Sequence, residues 1–462
     1  MSDVSLTFLG ATRTVTGSRF LVSTGASTVL IDAGLFQGDS DERQLNWKPF
    51  PVDPATIDAI VLTHAHLDHC GYLPLLVKRG FRGKIYATHY TAKLAEVTMR
   101  DSGRIQEEDA KFAQRKGYSS HKPALPLYTE EDAVQAVRRF APVEFGAAID
   151  LTSDVTVILH PSGHILGSSF VDLTAAGKRL LFTGDLGRPH HPVLVPPAPV
   201  PDGAFDAVVT ESTYGDRTHD TPTAEFEEII TRTIGRGGSV LIPAFAVDRT
   251  EVILVKLREL MEAGRIPRVD IFADSPMALS SLHFYREAID AHSADIRSDV
   301  ADTWAGRDPF DPGTLRECST VEQSKALNDV TQPCIIVSAS GMATGGRVVH
   351  HLAHMLPRPK NTVVLVGYQA IGTRGRYLQQ GDDQVKIHGE WVPVRAQIAS
   401  VESFSVHADG DEILAWLKSA DRIERAFAVH GESKAAERMA ERIREECHIA
   451  AEVPSPGQTF TI

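Results

Sequence analysis

The chain has 462 residues, of which 42% are hydrophobic and 23% charged, and its formal charge is −13. That length is too great for one compact core, so two or three domains of an ordinary globular protein are expected. Its four cysteines are widely spread and form no Cys-x-x-Cys pair, which argues against a disulfide framework and against a thiolate metal site.

No apolar run approaches a membrane span, and Met1 to Gly10 reads as a strand rather than a signal peptide, so the expected location is cytoplasmic with no membrane partner. Further strands, Arg19 to Ser23 and Ser27 to Asp32, are separated by glycine-containing turns. Asp32, before Ala33-Gly34, suits an outer partner that orients a ligand histidine, since metal-bound imidazoles give their other N–H to an acceptor.

The apolar run Ile57 to Leu62 reads as a buried strand and opens directly into His64-Ala65-His66-Leu67-Asp68-His69. Helical spacing from Tyr72 to Gly80 puts Asp68 and His69 on a first helical turn, while His64 and His66 project from the loop before it. Imidazole and carboxylate without thiolate favour Zn²⁺ or a similar first-row ion, and the spread of the four suits two adjacent cations. Four protein ligands cannot complete two metal shells, so more His and Asp are expected at later strand ends. Two bound divalent ions would also make a cleft locally positive, so the acidic balance does not exclude a nucleic-acid partner.

The polar stretch from Gly103 to Pro126 reads as a helix and loop over the sheet edge, either a solvated surface helix or a lid. The strand Val155 to Leu159 leads into His160-Pro161-Ser162-Gly163-His164, and His164 is preferred to His160 because glycines flank it at 163 and 167 and allow close backbone approach to a metal centre. Lys178 to Phe182 ends in Thr183-Gly184-Asp185, whose carboxylate could bridge two ions.

These residues, Asp32, His64-x-His66-x-Asp68-His69, His164 and Asp185, match the metallo-β-lactamase superfamily in order and context. That resemblance implies an α/β fold, an αββα sandwich with a dinuclear metal site at its strand ends.

A proline-rich boundary at residues 192–201 precedes the strand Ala207 to Thr210 and Glu211. Alternating helices and strands follow, with strands at residues 239–243 and 269–272, and read as a parallel-sheet α/β domain. Gly-rich turns after strands, Ser340-Gly341 to Arg347 and Gly367-Tyr368 to Arg376, are candidate phosphate cradles, with charge from Arg347 and Arg374. Late in the chain, His407 precedes one helix, and His430 stands at a strand end before another.

Glu211, His407 in Phe-Ser-x-His-Ala-Asp and His430 in Val-His-Gly-Glu resemble the three extra motifs of the β-CASP nucleases, and Ser338 to Arg347 resembles that family as well. The resemblance implies a β-CASP domain at 206–384 inserted between metallo-β-lactamase segments 1–205 and 385–462. It implies two Zn²⁺ per chain, with Mn²⁺ the alternative, one held by His64, His66, His164 and Asp185 and the other by Asp68, His69, Asp185 and His430. It also implies hydrolysis of single-stranded RNA, because a histidine at the last motif is typical of the RNA-processing branch, and it assigns leaving-group protonation to His407 steered by Glu211. Endonucleolytic and 5′-exonucleolytic cutting both stay open. A dinuclear-zinc esterase or thioesterase, or a binding subunit of an RNA-processing complex, are the alternatives, and a homodimer is compatible.

Overall fold

Short runs rich in Val, Ile and Phe, each closed by a turn, pair into two seven-stranded sheets. The computed structural model describes residues 3–38, 40–116, 123–219, 224–370 and 372–462. In spatial order the first sheet is Thr459–Thr461, Ser5–Phe8, Phe20–Ser23, Thr28–Ile31, Ala59–Val61, Lys84–Thr88 and Phe140–Val143. The second is Ala450–Glu452, Arg425–Val429, Ala207–Glu211, Lys178–Phe182, Ser169–Ala175, Val155–Pro161 and Ala148–Asp150.

Inward residues of both sheets form one apolar cluster that includes Phe8, Val61, Val157, Leu173, Phe182 and Phe427. The Phe8 and Phe427 rings meet across it at 5.0 Å. Helices Gly410–Leu417 and Ser433–Glu446 cover the outer face of the second sheet through Ile413, Leu414, Met439 and Ile443. On the first sheet, the long helix His89–Lys116 packs beside Lys84–Thr88 and Phe140–Val143. The result is the expected αββα sandwich.

Parallel pairing explains where chemistry collects. Thr28–Ile31 and Ala59–Val61 run parallel, so Asp32 and Thr63 leave adjacent strands at the same end. Lys178–Phe182, Ala207–Glu211 and Arg425–Val429 are likewise parallel, which brings Asp185, Glu211 and His430 out together.

The chain forms two compact units, residues 1–218 with 407–462, and residues 219–406. The second unit carries a six-stranded parallel sheet in the order Leu315–Glu317, Ile271–Ala273, Ile335–Ser338, Val240–Pro243, Thr362–Leu365, Gln397–Ser400. These divisions differ from boundaries at 206 and 385. Ala207–Glu211 is buried along its whole length between two strands of the sandwich, whereas Gln397–Ser400 pairs with Thr362–Leu365 in the other unit.

Two further expectations change. The helix expected from Asp68 to Gly80 is two short helices, Leu67–Cys70 and Leu73–Lys78, broken at Gly71-Tyr72. Residues 103–116 of the polar stretch are the second half of His89–Lys116, and residues 117–122 lie outside the described residues. Among the described residues, no helix is long and apolar enough to cross a membrane.

Candidate metal centre

The turn after Thr28–Ile31 is held by an unusual buried cation. Arg19, 4% exposed, donates to the Gly34 carbonyl at 2.6 and 2.8 Å and to Asn46 Oδ1 at 3.2 Å. Its guanidinium lies 3.9 Å from the Tyr72 ring centroid, and burial brings its pKa down to about 10. Gly34 itself allows no side chain, because a Cβ there would stand 1.6 Å from the Asp68 carbonyl oxygen. The Asp32 turn and the start of the Asp68 helix are thereby locked together.

Asp32, fully buried and with φ of 58°, accepts from the Thr63 N–H with Oδ1 and from the Thr63 hydroxyl and His69 Nδ1 with Oδ2, each at 2.8 Å. Thr63 in turn lies 3.1 Å from His64 Nδ1. One carboxylate therefore orients His69 directly and His64 through a hydroxyl, which leaves both Nε2 atoms facing inward.

Four ligand atoms then converge. His66 Nδ1 is 3.2 Å from both His64 Nε2 and His164 Nε2, and Asp185 Oδ2 is 3.4 and 3.6 Å from the same two nitrogens. A tetrahedral ion with bonds of about 2.0–2.1 Å needs ligand–ligand edges of about 3.3 Å, so this group fits a first-row divalent ion. In the second group, Asp68 Oδ2 is 3.4 Å from His430 Nε2, and Asp185 Oδ1 is 3.3 Å from His69 Nε2. Asp185 Oδ1 is buried and, among the described residues, has no hydrogen-bond partner, as suits an oxygen shaped for a cation.

The charges agree with this fit. Burial, then the neighbouring His69, pushes the His64 imidazole down to about 3, and burial pushes His66 down to about 4 and His164 well below the usual range, so these rings keep their lone pairs. Burial opposes charge on His69 and His430 too, but Asp185 outweighs it, helped by Asp32 at His69 and by Asp68 at His430, and both are raised. At Asp68 and Asp185 burial is again opposed, mainly by His430, and both carboxyls lie well below the usual range.

Glu211, 1% exposed, accepts from the Leu186 N–H at 2.7 Å and lies 3.1 Å from His407 Nδ1. The Ala408 N–H bonds the Leu186 carbonyl at 2.7 Å, so the loop after Asp185 also fixes the backbone beside His407. Glu211, Asp185 and His430 offer ligand atoms within 4.8 Å of one another as well.

All the sequence candidates in the sandwich are brought to this one place. His160 is not: it stacks at 5.0 Å on Phe170, its partner on the neighbouring antiparallel strand. The glycines flanking His164 serve a purpose other than the one expected. A Cβ on Gly163 would meet the Val195 carbonyl at 2.5 Å, and one on Gly167 the Thr91 nitrogen at 2.4 Å, so both allow close packing of chain on chain.

The residues of the candidate phosphate cradles have partners within their own unit. Arg347 donates to Asp274 Oδ1, the Cys318 carbonyl and the Ser319 carbonyl at 2.7–2.9 Å, and Arg374 to the carbonyls of Ala343, Thr344 and Lys386 at 2.8–2.9 Å. Both guanidiniums fix loops of the 219–406 unit. Ser340 pairs with Thr344 at 3.0 Å, a Cβ on Gly341 would clash with Phe245, and Tyr368 is half-buried. The sequence reading missed Thr63 and Thr213, whose roles show only in their distances to Asp32, His64 and His430.

The sandwich, with this cluster at its strand ends, defines a metal-dependent hydrolase of the metallo-β-lactamase type. Comparison with known families agrees: residues 14–217 match the metallo-β-lactamase superfamily, 250–378 the Beta-Casp domain, and 391–454 the Zn-dependent metallo-hydrolase RNA specificity domain. The chain is 38% identical over 428 residues to Ribonuclease TTHA0252 of Thermus thermophilus, covering 92% of each chain. It is 30% identical to an RNase J-like protein of Methanocaldococcus jannaschii, covering 99% of this chain and all of that one, and 30% identical to transcription termination factor FttA of Methanosarcina mazei, covering 96% and 70%. An Enterococcus faecalis V583 crystal structure of unknown function shares the fold, with a TM-score of 0.54 at 12% identity and full coverage of both chains. The chain belongs to the β-CASP family of the metallo-β-lactamase superfamily.

Proposed function

We propose that this protein is a ribonuclease that hydrolyses phosphodiester bonds of single-stranded RNA with two Zn²⁺ ions at the His/Asp cluster. The observation that carries the reading is the Glu211–His407 pair beside that cluster, at 3.1 Å. A small-ester hydrolase on the same sandwich has no need of that pair. Relatives named as ribonucleases, matched over nearly the whole chain, support RNA as the polymer.

When bound, the two ions lower the pKa of an attacking water to about 7 and neutralise charge on the phosphoryl oxygens. His64, His66 and His164 with Asp185 would hold one ion, and Asp68, His69 and His430 with Asp185 the other. Asp32 keeps the His69 and His64 rings aimed inward. As the oxygen of water, which releases one proton to solvent, bonds to phosphorus and the bridging P–O bond breaks, His407 gives its proton to the departing oxygen and is reprotonated from solvent. Glu211 holds His407 Nδ1 so that Nε2 faces the substrate.

The test is digestion of a 5′-labelled single-stranded RNA and its DNA counterpart by purified protein, alongside His64→Ala and metal-stripped controls. Metal-dependent RNA cleavage that disappears in the variant is expected. Intact RNA after incubation with protein shown to hold two ions per chain would overturn the reading. The label's ladder separates internal cuts from end trimming.

A further inference from the structure

The end of the Ala207–Glu211 strand clasps the end of its neighbour Arg425–Val429. Ser212 Oγ donates to the Val429 carbonyl at 2.6 Å, and the His430 N–H donates to the Ala11 carbonyl at 2.7 Å. Thr213, 8% exposed, sets its hydroxyl 3.1 Å from the His430 carbonyl oxygen and 3.1 Å from His430 Nδ1. A hydroxyl has one proton, and a carbonyl oxygen can only accept. The proton therefore goes to the carbonyl, and the oxygen lone pair faces Nδ1. Nδ1 must carry a ring hydrogen, which leaves Nε2, 3.4 Å from Asp68 Oδ2, as the nitrogen whose lone pair is available to an ion. Asp185 Oδ1, 3.6 Å from Nδ1, is too far to compete.

We infer that Thr213 is a positioning residue: it fixes the tautomer and ring orientation of His430 so that Nε2 is presented to the metal shared with Asp68 and His69. The inference rests on the reading of His430 as a ligand. His69 and His64 depend on Asp32, directly or through Thr63. His430 depends on a separate hydroxyl, so Thr213 governs one of the two ion sites and leaves the other alone. Backbone geometry reinforces the hold, because His430 has φ of 49° and its ring orientation is set from both its own carbonyl and Nδ1.

The test uses the full chain as wild type, Thr213→Val and Thr213→Ser, each stripped of metal and titrated with Zn²⁺ against a chromophoric chelator. The valine variant keeps the shape and loses the hydroxyl. It is expected to weaken one of two ions by about 10- to 100-fold and leave the other unchanged, while serine restores wild-type binding and metal-free melting is unaltered. Equal binding of both ions by the valine variant, no rescue by serine, or weakening of both ions together with a lowered metal-free melt would overturn the role. A second measurement needs no variant to fold: long-range ¹H–¹⁵N correlation of histidine-labelled zinc protein should show His430 protonated at Nδ1, and protonation at Nε2 would refute the inference. Failure of the ligand reading itself looks different, with His430→Ala holding two ions as tightly as wild type.

Discussion

Replacing Glu211 with glutamine isolates the acid–base arm of the site from its metal arm. Glu211 is buried, with Oε1 committed to the Leu186 N–H at 2.7 Å and Oε2 at 3.1 Å from His407 Nδ1. Glutamine keeps the shape and one acceptor oxygen. If that oxygen stays on Leu186, the amide NH₂ faces His407, and two donors then oppose each other. A hydrogen bond to a charged group contributes about 1.5–3 kcal/mol, and at about 1.4 kcal/mol per decade that is a loss of about 10- to 150-fold in kcat. Single-turnover cleavage of labelled RNA at saturating enzyme reads this directly, with metal content measured on the same sample. Two ions per chain and a reduced rate are expected. A rate within about threefold of wild type would refute the orienting role, because a lost charge-assisted bond cannot cost so little. Loss of an ion would refute it differently, and would place Glu211 among the ligands with Asp185 and His430.

Asp32→Asn takes one acceptor from the pair of atoms that holds His69 and Thr63; Zn²⁺ affinity should fall by about 10- to 100-fold in chelator competition, and unchanged affinity would contradict the arrangement. Arg19→Met keeps the contact with Tyr72 but leaves the Gly34 carbonyl without its two donors, so the urea midpoint of the metal-loaded protein should drop by the equivalent of about 2 kcal/mol. Glu251 is fully buried, and desolvation, with the neighbouring charge of Asp248, holds its carboxyl well above the usual range. A raised carboxyl pKa means that the folded state binds the extra proton, so stability falls as pH rises above the ordinary carboxyl range. Glu251→Gln should therefore raise the melting temperature at about pH 8 and leave it unchanged near pH 4, and no gain at the higher pH would count against a buried charge there.

The sequence alone supplied most of the candidate ligands and their place at strand ends. His64, His66, Asp68 and His69 lie within one run of six residues just after a strand, and a stretch that short has few ways to point them. Asp185 and His430 likewise follow apolar runs directly, but His430 entered the candidate ligand set through the resemblance to the β-CASP nucleases. Tertiary structure decided what lies beyond a few residues. Ala207–Glu211 belongs to the sandwich because it pairs with Lys178–Phe182 and Arg425–Val429 on either side, and no local signal reveals which of two sheets a buried strand with parallel neighbours will join. Arg347 and Arg374 looked free to meet phosphate, but a long side chain reaches whatever acceptor the fold supplies, here Asp274 and loop carbonyls. Thr63 and Thr213 became visible only through distances to atoms of other residues, because an outer hydrogen bond is a relation between two chain segments and leaves almost no mark in either one alone.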